Sequence, residues 1–280
     1  MSAFYLFLCA AVIGVVEGVT EWLPVSSTGH MILIDACLGM KEHVSESFYS
    51  FFLVAVQLGA ILAVIVLYFK RLNPWRREAS LPEKRQIFRL WRCVFIGMLP
   101  AALLGIPLDD FIEEKLYGVP VIATALILYG VLFILIERKK KNGFDRIESV
   151  YDLTYCDAWM IGCFQALSLI PGTSRSGSTI LGGMLLGVSR TASAEFSFFM
   201  ATPVMAGASL IRGAKLFATG VKMTGTELSL LLIGMLTAFA VSLLAIRFLM
   251  NFVRRHSFEA FGWYRILFGI LVLSISLLAR

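Results

Sequence analysis

Apolar residues run through this chain in long blocks, not in the alternation of half-buried strands. Six blocks read as membrane-crossing helices: 50–69, 93–108, 119–136, 196–211, 228–246 and 266–279. The third ends in Glu137-Arg138-Lys139-Lys140-Lys141, a stop at the water interface. Two further apolar stretches are interrupted. Residues 1–38 break at Pro24-Val25-Ser26-Ser27-Thr28-Gly29, and residues 158–188 break at Pro171-Gly172-Thr173-Ser174-Arg175-Ser176-Gly177-Ser178-Thr179. Each arm is only ~10–18 residues long, short of the ~20 that a crossing takes. The pattern predicts re-entrant helical hairpins, in which irregular backbone at membrane depth is surrounded by protein or a wet cavity.

Two halves of the chain echo one another. At a shift of 147, Leu23-Pro24-Val25-Ser26-Ser27 falls on Ile170-Pro171-Gly172-Thr173-Ser174, and Phe51-Phe52 on Phe198-Phe199. At a shift of 137, Ile96-Gly97-Met98-Leu99 matches Ile233-Gly234-Met235-Leu236 letter for letter. The expectation is an all-α membrane domain over 1–280, built from two repeats at 1–141 and 150–280. Each repeat has one hairpin (about 1–38 and 158–188) and three crossings. Three crossings invert the second repeat relative to the first. Loop charge agrees. Basic residues gather in 70–92, 138–146 and 247–256, all on one side of that topology, whereas 109–118 is acidic. The positive-inside tendency makes the basic side cytoplasmic. Both termini and the first hairpin's entry then lie outside, and the two polar tips meet near the midplane.

Composition fixes the class. Hydrophobic residues are 58% and charged residues 16% of the 280-residue chain, and mean hydropathy is +0.81. Soluble domains carry ~25% charge. The net charge of +6 belongs to basic loops and is no nucleic-acid footprint. Cys9, Cys37, Cys93, Cys156 and Cys163 show no CxxC spacing and read as small apolar helix residues. The first 16 residues lack the basic n-region of a cleavable signal.

Polar residues inside such a chain need a partner or a task. A half-helix starting after each break points its free N–H groups and positive dipole end into the protein centre. Gly172 and the hydroxyls of Ser26, Thr28, Thr173, Ser174, Ser176, Ser178 and Thr179 admit close approach and add donors. Arg175 adds a planar, permanently charged fork. Together these make an anion site, and phosphate fits it best. Glu17 and Glu21 share a helix face at i, i+4, and His30 lies six residues past Pro24. Two carboxylates beside a diphosphate make sense if a divalent cation, Mg2+ or Ca2+, bridges them to it. They also make sense if one serves as an acid or a base. Ser27, His30, Glu17, Glu21 and Arg175 form a set suited to phosphoryl transfer. The preferred chemistry is attack by Ser27, with His30 or a glutamate taking its proton. Direct attack by water is the alternative. A transporter of a lipid phosphate could use the same inverted repeat, but transport needs no nucleophile. A structural scaffold leaves both motifs unexplained.

The stretch from Glu17 to His30 (Glu17-Gly18-Val19-Thr20-Glu21-Trp22-Leu23-Pro24-Val25-Ser26-Ser27-Thr28-Gly29-His30) and the stretch 171–179 resemble the two signature motifs of the bacitracin-resistance family of undecaprenyl-diphosphatases. The resemblance covers the whole chain, with no departure at the motifs' polar positions. It implies hydrolysis of undecaprenyl diphosphate to the monophosphate, which recycles the lipid carrier of peptidoglycan synthesis and confers bacitracin resistance. It also implies an inverted-repeat fold in the bacterial inner membrane, a site open to the periplasmic or extracellular face, and stimulation by a divalent cation. By the motifs, Glu17, Glu21, Ser27, His30, Ser174, Arg175 and Thr179 carry the site. The expected partners are the prenyl diphosphate and the bilayer, without nucleic acid; a homodimer is left open.

Overall fold

A computed structural model of the chain describes residues 3–140, 145–218 and 223–278; the side chains at positions 28, 32, 36, 109, 110, 113 and 217 lie outside that description. The described chain is helical: α1 (Ala3–Thr20), α2 (Ser27–Leu38), α3 (Glu46–Leu67), α4 (Phe69–Leu72), α5 (Leu81–Lys115), α6 (Val119–Lys140), α7 (Tyr155–Leu167), α8 (Arg175–Leu185), α9 (Arg190–Ala218), α10 (Gly225–Val253) and α11 (Glu259–Leu278). Seven are long and apolar enough to cross a membrane: α1, α3, α5, α6, α9, α10 and α11. Six of these carry the six predicted blocks. The seventh is α1, which the sequence reading takes as a hairpin arm.

Several helices outrun their apolar blocks because polar caps extend them. The α5 helix starts at Leu81, inside the predicted basic loop, where Ser80 and Glu83 form a capping box. It then absorbs Pro100 and Pro107 and ends at Lys115, so most of the acidic segment 109–118 is helix too. A second capping box, Thr224 with Glu227, starts α10.

Glycines set which helices touch. A Cβ on Gly14 would strike the Gly234 carbonyl, and one on Gly18 would meet Ala238 and Val241. The Ser242 hydroxyl donates to the Gly18 carbonyl at 3.3 Å. So α1 runs parallel to α10 and stops beside its middle; α10 continues for roughly 15 Å. The same crossing recurs between α7 and α5. There Gly162 lies against Gly97 and Pro100, and Leu169 lies over Gly105. Thus α7 runs parallel to α5 and stops beside its middle, with α5 continuing for roughly 15 Å. A third glycine crossing, Gly130 on Gly262, joins α6 to α11.

The basic segments share one end of the bundle. Arg71 pairs with Glu195 at 2.5 Å, Arg138 with Glu259 at 3.0 Å, and Arg146 with Asp157. Arg89 donates to the Leu153 carbonyl at 3.1 Å. Arg190 donates to both Glu137 oxygens, at 2.8 and 2.5 Å, and the Phe258 amide donates to the same carboxylate. Helix α5 starts at this end and α10 finishes there. Their partners α7 and α1 therefore approach the centre from opposite ends.

Candidate active site

Both breaks are built alike. After α1 the chain turns through residues 21–26, and after α7 through 168–174. The residue before each second half-helix is a serine with positive φ: Ser26 at 74° and Ser174 at 72°, the two non-glycine residues so placed among those described. Such backbone costs on the order of 1–3 kcal/mol and persists only where its surroundings impose it. At Ser174 the side chain accepts from the Gly177 amide at 3.1 Å and caps α8; Ser26 makes no side-chain cap. The equivalent serines lie 148 residues apart, not 147. Ser174 is therefore the structural counterpart of Ser26, and Arg175 that of Ser27.

The two tips meet. Arg175 Nη2 donates to Glu21 Oε1 at 2.7 Å, and the Ser27 hydroxyl donates to Glu21 Oε2 at 2.7 Å. One carboxylate thus joins the cation of the second tip to the hydroxyl of the first. Arg175 Nη1 donates to the Ser197 carbonyl at 2.8 Å and its hydroxyl at 3.3 Å. Thr179 donates to the Ser197 hydroxyl at 2.7 Å and does not line the cavity described below. The guanidinium also lies 5.8 Å from the Trp22 ring centre, a cation–π contact. The Ser176 hydroxyl donates to the Leu23 carbonyl at 3.3 Å, a second link between tips.

A cavity of about 230 Å³ opens at this junction. Its walls hold Glu21, Ser26, Ser27, Gly172, Ser174, Arg175 and Ser176, with Gln57, Tyr117 and Met205 added from other elements. The remaining predicted residues stand elsewhere. Glu17 is buried one turn below Glu21, and its Oε1 has no hydrogen-bond partner. Thr173 and Ser178 are buried outside the lining. The side chain of Thr28 lies outside the described residues.

His30 points away from Ser27. Its Nδ1–H donates to the Ser26 carbonyl at 2.7 Å, and its Nε2 is 2.6 Å from the Tyr264 hydroxyl, from which it accepts. The ring stacks on Phe268 with centroids 4.0 Å apart. Of the two proton acceptors weighed from sequence, the structure brings Glu21 to Ser27 and leaves His30 bracing the tip.

Three participants escaped the sequence reading. Ser197 hides among Phe196, Phe198 and Phe199. Gln57 is the one amide in the apolar run of α3. Arg265 in α11 is fully buried and donates to carbonyls of both tips. The available signal was a lone charge at the edge of an apolar block; its place directly before 266–279 made it read as a flank.

Fold and site together define a polytopic helical membrane protein with an internal polar cavity where two helix–turn–helix segments meet. The comparisons are more specific. The family model described as bacitracin resistance protein BacA matches residues 10–271. An undecaprenyl-diphosphatase of Limosilactobacillus fermentum is 48% identical over 267 residues, 95% of this chain and 96% of that protein. Those of Lactiplantibacillus plantarum and Enterococcus faecalis are 48% and 49% identical over 264 and 266 residues, each 94% of this chain and 95% of the relative. The chain belongs to the BacA family.

Proposed function

We propose that this protein hydrolyses undecaprenyl diphosphate to undecaprenyl phosphate and phosphate, which recycles the carrier for peptidoglycan synthesis and confers bacitracin resistance. The family match and the named relatives support the activity. The observation that carries the chemistry is the Ser27–Glu21–Arg175 chain at the cavity wall. A terminal phosphate entering the cavity competes with Glu21 for Arg175 Nη2. As the guanidinium turns to the phosphate, Glu21 Oε2 keeps the hydrogen bond from the Ser27 hydroxyl. It takes the Ser27 proton while Oγ attacks the terminal phosphorus, and the bond to the bridging oxygen breaks. Undecaprenyl phosphate leaves, and water then cleaves the phosphoserine to free phosphate. Arg175 and the N-termini of α2 and α8 hold the charge that develops on the phosphoryl oxygens.

A divalent cation fits one feature of the site. Glu17 Oε1 is buried without a partner, next to Glu21. Glu17 and Glu21 are the residues that would hold the ion; among the described residues no third His, Cys, Asp or Glu side chain converges with them. When bound, it would neutralise phosphate charge as a Lewis acid.

The same reading places the helices in the membrane as two inverted repeats. The 12 residues of α2 and 11 of α8 reach about 18 and 16 Å, well short of the ~30 Å hydrocarbon core. They serve as the returning arms of re-entrant hairpins. Matching crossings, Gly14 on Gly234 and Gly162 on Gly97, support the duplication. Tyr117 lies between α5 and α6, away from the basic end, and lines the cavity. With the basic end cytoplasmic, the site faces the periplasm of an inner-membrane protein. The test is phosphate release from a long-chain prenyl diphosphate by purified protein in detergent, with and without EDTA. Release is expected and is reduced by EDTA. Substrate binding without release under any metal condition would overturn the hydrolase reading in favour of transport.

A further inference from the structure

The guanidinium of Arg265 is buried where the two tips cross. Nη1 donates to the Pro24 carbonyl at 3.1 Å, and Nη2 donates to the Gly172 and Thr173 carbonyls at 2.9 Å each. The guanidinium lies 5.5 Å from the Tyr129 ring centre, and a Cβ on Gly177 would sit 3.1 Å from Nη1. Its three acceptors all belong to the strained turns, and none is a carboxylate. A buried cation held by carbonyls alone forgoes a neutralising partner, a costly arrangement for simple packing.

Peptide planarity shows what the arrangement achieves. In a trans peptide the carbonyl of one residue and the N–H of the next point in opposite directions. Each carbonyl drawn to Arg265 therefore turns the following amide away from it. Two of those amides are spent within their own turns: Val25 donates to the Leu23 carbonyl at 2.7 Å, and Thr173 to the Ile170 carbonyl at 3.2 Å. The third, on Ser174, makes no hydrogen bond among the described residues, and Ser174 lines the cavity. The amides of Arg175 and Ser176 follow it at the start of α8, also without acceptors among the described residues.

We propose that Arg265 is a positioning residue for phosphoryl transfer: by holding the Thr173 carbonyl it aims the Ser174 N–H at the phosphoryl oxygens, and by holding Pro24 it keeps the Ser27 tip against that donor. This inference rests on the hydrolase reading. The positive φ of Ser26 and Ser174 is the backbone distortion that this clamp sustains. An N–H aimed where charge develops acts on the transition state more than on bound substrate. The effect should therefore appear in kcat and not in KM.

The test compares wild type with Arg265→Lys and Arg265→Gln in detergent, measuring kcat, KM, thermal melting, and inhibition by orthovanadate and by inorganic phosphate. A lysine keeps the charge without the planar fork and cannot hold three carbonyls in that arrangement. Arg265→Lys is expected to melt within a few degrees of wild type, to keep KM within about threefold, and to lose at least tenfold in kcat. Vanadate inhibition is expected to weaken in step with kcat while phosphate inhibition changes less. Arg265→Gln is expected to fall further in kcat with the same split. Wild-type kcat in a folded Arg265→Lys protein, or a loss confined to KM, would overturn the inference while leaving the hydrolase reading intact. If both variants unfold before assay, Arg265 serves folding and the inference is equally overturned. If wild type itself releases no phosphate, the hydrolase reading fails and takes this inference with it.

Discussion

The two broken segments share a backbone and differ in chemistry. Each has a first helix ending beside the middle of a parallel neighbour, a turn, a serine with positive φ, and a short second helix. At the structural shift of 148, Glu17 corresponds to Gln165, Glu21 to Leu169, and Ser27 to Arg175. Gln165 is as buried as Glu17, and neither amide atom has a hydrogen-bond partner. The first segment thus carries the acids and the hydroxyl that can attack. The second carries the cation and a cap for its own helix. A repeated backbone supplies the meeting place, and three unlike pairs of side chains distinguish its two sides. A copy of the first segment would put a serine where Arg175 meets Glu21, and a copy of the second would put a leucine where Glu21 meets Arg175, so neither symmetric arrangement would join a cation to a carboxylate there.

The sharpest way to break this comparison is to neutralise the acidic side. Glu21→Gln keeps the shape but removes the acceptor for the Ser27 proton. A general base contributes ~10²–10⁴-fold, so kcat should fall by that order. His30→Ala should lose at least tenfold less, because both ring nitrogens are engaged with Ser26 and Tyr264. Equal losses in the two variants would return the proton to His30.

The cationic side comes next. Arg175→Ala removes the charged partner of a buried phosphate, worth ~2–5 kcal/mol, or roughly 30- to 4,000-fold in turnover. Arg175→Lys should remain badly impaired, since a point charge cannot serve Glu21 and Ser197 together and then a phosphate. Wild-type turnover from Arg175→Ala would remove the second segment from the site.

The smallest expected effect on activity is a topological one. In a Cys-free background, Glu114→Cys should react with an impermeant maleimide from outside intact cells and Lys139→Cys should not, with turnover near wild type in both. Both side chains sit exposed at opposite ends of the bundle. Labelling of both from outside would break the inverted arrangement.

Much of this was legible in the sequence because the signals are local. Apolar blocks, the two interruptions and the loop charge depend on neighbouring residues only, and each reappears as a helix, a turn or a clustered basic end. The meeting of the two tips also followed, since two polar tips in apolar surroundings have few partners but each other; the Arg175–Glu21 pair within it did not. Side-chain direction did not follow. His30 lies one helical turn beyond Ser27, yet Ser26 has φ of 74° and the Tyr264 and Phe268 rings hold the imidazole away. The register of the two halves slipped by one residue because the Leu-Pro and Ile-Pro letters align better than the backbone does. Arg265 and Ser197 come from distant helices, and no spacing in the sequence ties either to the tips.

In the proposed mechanism Ser27, activated by Glu21, is the nucleophile, whereas the serines at the paired positions before α2 and α8, Ser26 and Ser174, are not. The most direct measurement is phosphate release by Ser27→Ala beside Ser174→Ala, with substrate binding followed separately. Ser174→Ala loses one neutral hydrogen bond, ~0.5–1.5 kcal/mol, and should keep turnover within about tenfold. Ser27→Ala should release no measurable phosphate while still binding the lipid. If Ser27→Ala keeps more than about a tenth of wild-type turnover, a loss under ~1.4 kcal/mol, water attacks directly and the covalent account is wrong.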